Sequence, residues 1–203
     1  MIYRLSPPTP RIVGGHNMKR RAVGIAVVSA LVMVLLATSP ALASNVHLKG
    51  GSHAKPAFFD GGLTLSSSGE LAGLGFGDVL VSLTAVGNPT ATCTNPGSDT
   101  HQPAGHNPAP ITVTGSEAIP ASEIKNGNTP FAVVTNPPVT PVPKAPECPN
   151  SNWIEDITDM AFTSATISVE QPPGTVVLTV SCTFSSPTSD GAVPGSHVSC
   201  TSS

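Results

Sequence analysis

Arginine is absent from the sequence beyond position 21, tyrosine is absent beyond position 3, and Trp153 is the single tryptophan. Phosphate backbones and anionic membrane surfaces are bound mainly through lysine and arginine. We therefore expect no nucleic-acid partner and no binding to an anionic membrane surface. Sugar-binding platforms and protein-binding hot spots are rich in exposed aromatic side chains. The shortage of aromatics weakens a carbohydrate-binding interpretation and, less strongly, a tight-inhibitor interpretation.

The one long apolar run lies near the N-terminus and has the surroundings of a secretory signal. A basic cluster at 19–21 precedes it, residues 22–37 are uncharged and largely apolar, and Pro40 ends any helix. Residues 41–43 (Ala-Leu-Ala) supply the small side chains that a signal peptidase requires. We predict cleavage after Ala43 and secretion of the rest of the chain.

The alternative is an uncleaved membrane anchor, because the uncharged stretch 22–43 is close in length to the roughly 20 residues that a spanning helix needs. Pro40 and the Ala-Leu-Ala site favour cleavage, so we expect membrane contact only through a helical signal segment, 18–43. Residues 1–17 precede a second methionine and are interpreted as an extension from a mis-called start codon. Residues 44–203 are predicted to form one secreted domain, in which four lysines oppose twelve acidic residues for a net charge of −8.

Four cysteines, Cys93, Cys148, Cys182 and Cys200, all lie in the predicted secreted part. An even number of cysteines outside the cytoplasm indicates disulfides, here two, with three possible connectivities. We favour Cys93–Cys148 with Cys182–Cys200 and leave the other two connectivities open. No C-x-x-C spacing occurs, so zinc and thioredoxin-like chemistry have no support.

Alternation of apolar and polar residues with a period of two predicts half-buried strands. It occurs in the stretches 46–48, 63–65, 79–86, 111–113, 131–134, 165–170 and 175–184. The 22 prolines and 19 glycines are incompatible with a mainly helical protein and supply the turns. The predicted fold is all-β, an immunoglobulin-like antiparallel β-sandwich of seven to nine strands.

The connections between these strands fall into three kinds. Residues 172–174 (Pro-Pro-Gly) join two strong strand patterns and predict a hairpin. Residues 95–110 and 136–152 are polar and rich in proline, and we expect two long loops there. Residues 68–74 and 153–160 are the only places in the secreted part where we expect a helical turn or two.

Several stretches of the secreted part resemble a family of small exported bacterial proteins that carry no assigned function. The stretches that carry the resemblance are 46–51 (VHLKGG), 62–65 (GLTL), 71–79 (LAGLGFGDV), 90–95 (TATCTN), 119–127 (IPASEIKNG), 161–167 (AFTSATI) and 175–184 (TVVLTVSCTF). The resemblance implies secretion and a β fold. It implies no activity, no cofactor and no site residue.

Five histidines and Asp60 are the first candidates for acid–base or metal-binding groups. His47 and His53 lie near Asp60 in the sequence, but ligands and catalytic groups need convergent geometry, which a strand and a glycine-rich loop do not supply. We expect these two histidines to be ordinary surface or strand residues. His101, His106 and His197 are expected to be solvated.

The remaining candidates have simple structural interpretations. Glu155, Asp156 and Asp159 resemble a calcium ligand set but lack an EF-hand pattern, so a hydrated acidic edge is expected. The glycines of G-x-G-x-G at 73–77 lack a βαβ context, and we expect a turn before the strand at 79 rather than a phosphate loop. Trp153 is expected to be buried near Cys148.

No catalytic group is nominated, and neither a cofactor nor a metal is expected. We interpret the chain as a non-catalytic extracellular or cell-envelope module with a binding or structural role. Its partner would be an extracellular protein or an envelope component. In a narrower version, a secreted partner-binding protein such as an inhibitor of an extracellular hydrolase, one of the two long loops is the contact. The alternative is a small secreted hydrolase, which requires a cleft that holds a histidine beside a carboxylate.

Overall fold

The structure is a computed structural model that describes residues 45–51, 53–97, 100–102 and 107–203, with the backbone alone for 100–102. The predicted signal segment and His106 lie outside the described residues, as does the side chain of His101. The described part contains eleven strands and two short 3-10 helices, Ala121–Glu123 and Gly195–His197. Neither helix has the length and apolar character that crossing a membrane requires.

The strands form two antiparallel sheets. In chain order they are β1 (His47–Leu48), β2 (Ala57–Asp60), β3 (Leu65–Ala72), β4 (Val79–Asn95), β5 (Thr100–Gln102), β6 (Ile111–Ile119), β7 (Thr129–Val134), β8 (Ile154–Glu170), β9 (Val176–Phe184), β10 (Gly191–Val193) and β11 (Val198–Ser202). In the first sheet, β3 pairs with β1, β2 and β7, and β10 pairs with β2. In the second sheet the order is β11-β9-β8-β4, and β5 and β6 both pair with β4.

Buried side chains from both sheets belong to one hydrophobic core. Alternate residues of each long strand point into it, so that Leu65 of β3, Leu83 of β4 and Ile167 of β8 are all fully buried. Each such side chain contributes roughly 1.5–3 kcal/mol by leaving water. The predicted all-β class and the antiparallel pairing are confirmed. The period-two pattern identified the inner faces because one face of each sheet is buried in the core and the other is in contact with solvent.

The two sheets approach each other closely where β6 passes β7. The amide of Asn136, just after β7, donates to the carbonyl of Thr114 at 2.8 Å, and the amide of Ala132 donates to Glu117 Oε2 at 2.7 Å. Between these contacts lies Gly115, where an added Cβ would stand 1.8 Å from the carbonyl oxygen of Val134. Only glycine fits this crossing of backbones.

Both disulfides have the favoured connectivity. Cys93, near the end of β4, is joined to Cys148 in the loop that follows β7, across 55 residues. Cys182 of β9 is joined to its cross-strand neighbour Cys200 of β11. The predicted hairpin at 172–174 is also present, because β8 and β9 pair directly on either side of it.

Two sequence predictions of local structure are wrong. The expected helical turns at 68–74 and 153–160 are instead mostly strand, since β3 extends to Ala72 and β8 begins at Ile154. Pairing with β7 and with β4 outweighs the weak local helix preference of such short segments. The predicted seven to nine strands also fall short of eleven, because β2, β5, β10 and β11 are too short or too polar to show clear alternation.

Candidate functional site

A glycine-rich loop between β3 and β4 projects an aromatic side chain into solvent. The loop comprises residues 73–78 (Gly-Leu-Gly-Phe-Gly-Asp) and is called the Phe76 loop below. Gly73 and Gly77 have φ values of +78° and +115°, a region that favours glycine, and they set the turn that leads into β4. The expected turn before the strand at 79 is therefore present.

The buried side chain of Gln171 holds the middle of the Phe76 loop through hydrogen bonds to its backbone. Its side chain is only 2% exposed, and its Oε1 accepts a hydrogen bond from the amide of Gly75 at 2.7 Å. Its Nε2 donates to the carbonyls of Gly75 at 3.1 Å and Gly77 at 3.0 Å. Because the amide of Gly75 is taken by Gln171, it is not free to bind a phosphate.

The flanks of the Phe76 loop are held by the segment that follows β6. The amide of Leu74 donates to the carbonyl of Gly127 at 3.0 Å, and the amide of Ala121 donates to Asp78 Oδ1 at 2.9 Å. Hydrogen bonds thus fix the backbone on both sides of Phe76. A loop anchored in this way loses little further conformational entropy when a partner binds it.

Phe76 itself is 88% exposed, the highest value among the large hydrophobic residues of the described chain. Phe76 lines an open cavity of about 430 Å³ together with Leu74, Ala121, Ile124 and Gly127 among others. The loop therefore offers a projecting apolar group next to a recess. This arrangement suits recognition of another surface by shape and apolar contact.

His47 and His53 do not form a site with Asp60. Both histidines are exposed, and His47 Nδ1 is 2.7 Å from the carbonyl oxygen of Asn45. Asp60 pairs with Leu65 at the far end of β3 from the residue that pairs with His47, and its side chain points into the core. The expectation of ordinary surface histidines agrees with this placement.

Asp60 is nevertheless an unusual group, because its carboxylate is buried, with 1% of the residue exposed. It accepts hydrogen bonds from the amide of Gly62 at 2.9 Å and from the hydroxyl of Thr188. Burial raises the pKa of Asp60 above its ordinary value, and the charges of Asp159 and Asp190 raise it further against the lowering effect of those hydrogen bonds. The ionised form of Asp60 is therefore a net cost to the folded state.

This cost leads to a pH-dependent effect of Asp60→Asn. Since the pKa of Asp60 in the folded state lies above its value of about 3.9 in the unfolded chain, the cost grows as the pH rises towards and through the folded-state pKa and disappears as the pH falls below about 4. We therefore expect D60N to be more stable relative to the unmodified protein at pH 7 than at pH 4, which means that the difference in the free energy of unfolding (D60N minus unmodified protein) is larger at pH 7. Urea unfolding at the two pH values measures it.

A second variant checks whether the neighbouring carboxylates contribute to the raised pKa of Asp60. In an Asp190→Asn background, one of the charges that raises the pKa of Asp60 is gone. The pH-dependent part of the D60N effect is then expected to shrink. If D60N alone changed the free energy of unfolding by the same amount at pH 4 and pH 7, the claim that ionised Asp60 destabilises the folded protein would be contradicted.

Glu155, Asp156 and Asp159 diverge rather than form a ligand set. Glu155 is fully buried, with its Oε2 accepting from the amide of Glu147 at 3.2 Å, whereas Asp156 on the other face of β8 accepts from the hydroxyl of Thr140 at 3.1 Å. Asp159 lies beside Asp60. Within the described residues, no group of three histidine, cysteine or acidic side chains is arranged to hold a metal ion.

Among the histidines whose side chains the structure describes, His197 lines the same depression as an acidic residue. An open depression of about 260 Å³ is lined by His197, Asp190, Ser186 and Ser189 among others. The His197 ring and the Asp190 carboxylate are not hydrogen-bonded to each other. A histidine, a carboxylate and two serines thus line one depression, without the hydrogen bond to the histidine that activates a nucleophile.

Trp153 is half-buried, so the expectation that it is buried beside Cys148 is only partly met. The sequence analysis missed the two residues that define the Phe76 loop. Phe76 had a usable signal, since a phenylalanine between two glycines in a turn has no neighbouring strand position to bury it. Gln171 had none, because its partners are more than ninety residues away in the chain.

No protein-family model, no curated protein and no solved structure matches this chain.

Proposed function

We propose that the protein is an exported, non-catalytic binding module whose contact surface is the Phe76 loop. The observation that supports this best is an almost fully exposed Phe76 on a backbone that the buried Gln171 holds in place. Removal of a signal peptide after Ala43, an immunoglobulin-like arrangement of the two sheets and membership in a family of small exported bacterial proteins are parts of the same proposal. Two disulfides are compatible with an oxidising compartment.

The energetics favour a binding role for Phe76. Leaving a phenylalanine in water forgoes roughly 1.5–3 kcal/mol that its burial would contribute. A flexible loop could move so as to cover the ring, but the hydrogen bonds from Gln171 to Gly75 and Gly77 hold the loop backbone in the conformation that presents Phe76 to solvent. An extracellular protein or envelope component with an apolar pocket recovers this energy at a small entropic cost.

The sequence pointed instead to one of the long loops as the contact. Val139 in the second loop is 76% exposed and borders an open, mainly apolar depression of about 280 Å³. Val139 therefore provides a matched control: an exposed apolar side chain on a different loop. Comparing partner retention after substitution of Phe76 and of Val139 decides whether the Phe76 loop or the loop at 136–152 is the contact surface.

The test is affinity capture with residues 44–203 from the culture medium and the envelope fraction of the producing organism. We expect a component that is retained by the unmodified protein and by Val139→Ser, and whose retention by Phe76→Ser falls about tenfold or more, since removing a central aromatic contact costs 2 kcal/mol or more. Circular dichroism and thermal unfolding verify that both variants fold. Equal retention by F76S, or loss with V139S alone, would refute the Phe76 loop as the contact.

A small secreted hydrolase is the second candidate, and the depression that holds His197 and Asp190 is the observation that favours it. It ranks lower because the two side chains make no mutual hydrogen bond and because Asp60, the acidic residue with the raised pKa, is buried away from solvent. Catalysis requires an accessible acid or base within hydrogen-bond reach of its partner.

A further inference from the structure

The outer face of the second sheet carries a regular array of hydroxyl groups. Three rows of cross-strand neighbours run over β11 with the adjoining Ser203, β9, β8, β4 and β6, and we call their fifteen residues the hydroxyl array. The rows are Thr201-Ser181-Thr166-Thr84-Thr114, Ser203-Thr179-Ser168-Ser82-Ser116 and Ser199-Thr183-Ser164-Val86-Thr112. Serine or threonine occupies every position but Val86.

The strand alternation shows that these side chains face solvent. Their neighbours along the strands, such as Leu83 of β4, Ile167 of β8 and Val180 of β9, are fully buried in the core. No array residue is buried, and those of β6 and β11 are exposed. The array is therefore one continuous outward surface.

The hydroxyls of the array are free to bind. None of them is hydrogen-bonded to another group within the described part of the chain. At the β4–β6 end, Ser82, Thr84, Thr114 and Ser116 line an open depression of about 330 Å³ together with Asn136. Each hydroxyl group can both donate and accept hydrogen bonds, so the array can match a ligand whose groups do the same.

Strand propensity does not explain the composition of this face. Threonine is common in strands, but serine is not among the residues enriched there, and seven of the fifteen array residues are serine. The outer face of the first sheet differs, because it presents Phe59, Val134 and Ala132. Among the described strands, rows of hydroxyls that continue from strand to strand occur only on the second sheet, because the neighbours of Ser66 and Ser68 on β3 are Phe59, Val134, Ala57 and Ala132.

The array also has no charged side chain, although residues 44–203 have a net charge of −8. An acidic polymer would be repelled by the rest of the surface and would gain no ion pair here, and a basic one would bind the carboxylates elsewhere. The scarcity of aromatic side chains argues against sugar recognition by ring stacking. Recognition by hydrogen bonds to many hydroxyls needs no aromatic residue.

We propose that the hydroxyl array binds an uncharged polysaccharide chain. Neighbouring hydroxyls lie about 4.8 Å apart across the strands and roughly 6.7 Å apart along them, distances within which a sugar residue presents its own hydroxyls. A sheet twists by about 20–25° from strand to strand, so a row fits a single flexible chain better than a flat crystalline surface. This site is separate from the Phe76 loop.

Affinity electrophoresis of residues 44–203 provides the test. Native gels contain dextran, a mannan, a galactan, an arabinan or, as the acidic polymer, polygalacturonate. We expect retarded migration in at least one neutral gel and none in the acidic gel. Ser82→Ala with Ser168→Ala, both in the centre of the array, is expected to weaken the retardation about tenfold, since a lost hydrogen bond costs roughly 3–10-fold in affinity.

The matched control is Ser66→Ala with Ser68→Ala on the outer face of the first sheet, which should leave the retardation unchanged. Phe76→Ser should also leave it unchanged, so that failure of this proposal and failure of the Phe76 proposal are distinguishable. Migration unaffected by every neutral polymer, equal retardation by polygalacturonate, or equal loss in the S66A/S68A control would each overturn the assignment.

Discussion

Gly115→Ala is expected to lower the free energy of unfolding by about 3–5 kcal/mol, near the upper end of single-substitution effects. The added Cβ would lie 1.8 Å from the carbonyl oxygen of Val134 and 2.7 Å from Thr135 Cα. These are backbone atoms, which cannot rotate away as a side chain does. Strand β7 would have to move off β6, which breaks the hydrogen bond from Asn136 to Thr114.

The matched control for this experiment is Gly195→Ala. An added Cβ at Gly195 has no atom within 4 Å, and neither glycine has a positive φ. Both substitutions restrict the unfolded chain equally, so their difference reports the crossing of β6 and β7. Urea unfolding with the disulfides intact measures it, and G195A should change the stability by less than about 0.5 kcal/mol. Similar values for the two variants would show that the strands separate freely at this point.

Gly115 illustrates which parts of the fold could be predicted from sequence. The inner faces of β4, β8 and β9 were predictable because burial of one sheet face imposes a period of two on neighbouring residues. The approach of β6 to β7 depends on two segments that each look ordinary in sequence. A glycine within a strand indicates a close approach without naming the partner.

The same distinction holds for the candidate site. Disulfide pairing was within reach because four cysteines allow only three connectivities. The buried state of Asp60 was not, since an aspartate after two phenylalanines is consistent with either a strand end or a turn. Its neighbours Asp159 and Thr188 come from β8 and from the segment before β10, which only the folded chain brings to it.

The hydroxyl array lies between these cases. Serine and threonine at alternate positions were visible in 79–86, 165–170 and 175–184, where they served only to identify the solvent side of each strand. What the sequence does not contain is the register. A shift of one residue in the pairing of β4 with β8 would set Thr84 beside a buried side chain and leave no row of hydroxyls.

Gln171→Leu is the second substitution with a large expected effect, a loss of about 2–4 kcal/mol in the free energy of unfolding. It leaves the amide and carbonyl of Gly75 and the carbonyl of Gly77 without their partner. Each unpaired buried polar group costs about 1–3 kcal/mol, reduced here because the loop can open to water. Urea unfolding gives the global value, and hydrogen exchange of the Gly75 amide, which should become fast, gives the local one.

Asn128→Leu serves as the control, because it also removes amide hydrogen bonds to backbone carbonyls. Asn128 Nδ2 donates to the carbonyls of Asn126 and Lys125, but in an exposed turn, so a loss below about 1 kcal/mol is expected. Q171L retains Phe76 and should still lose the partner that F76S loses, since a mobile loop must be ordered again on binding. Capture of that partner at full strength by Q171L would mean that a rigid loop is not required, and the energetic reason for assigning the contact to Phe76 would fail.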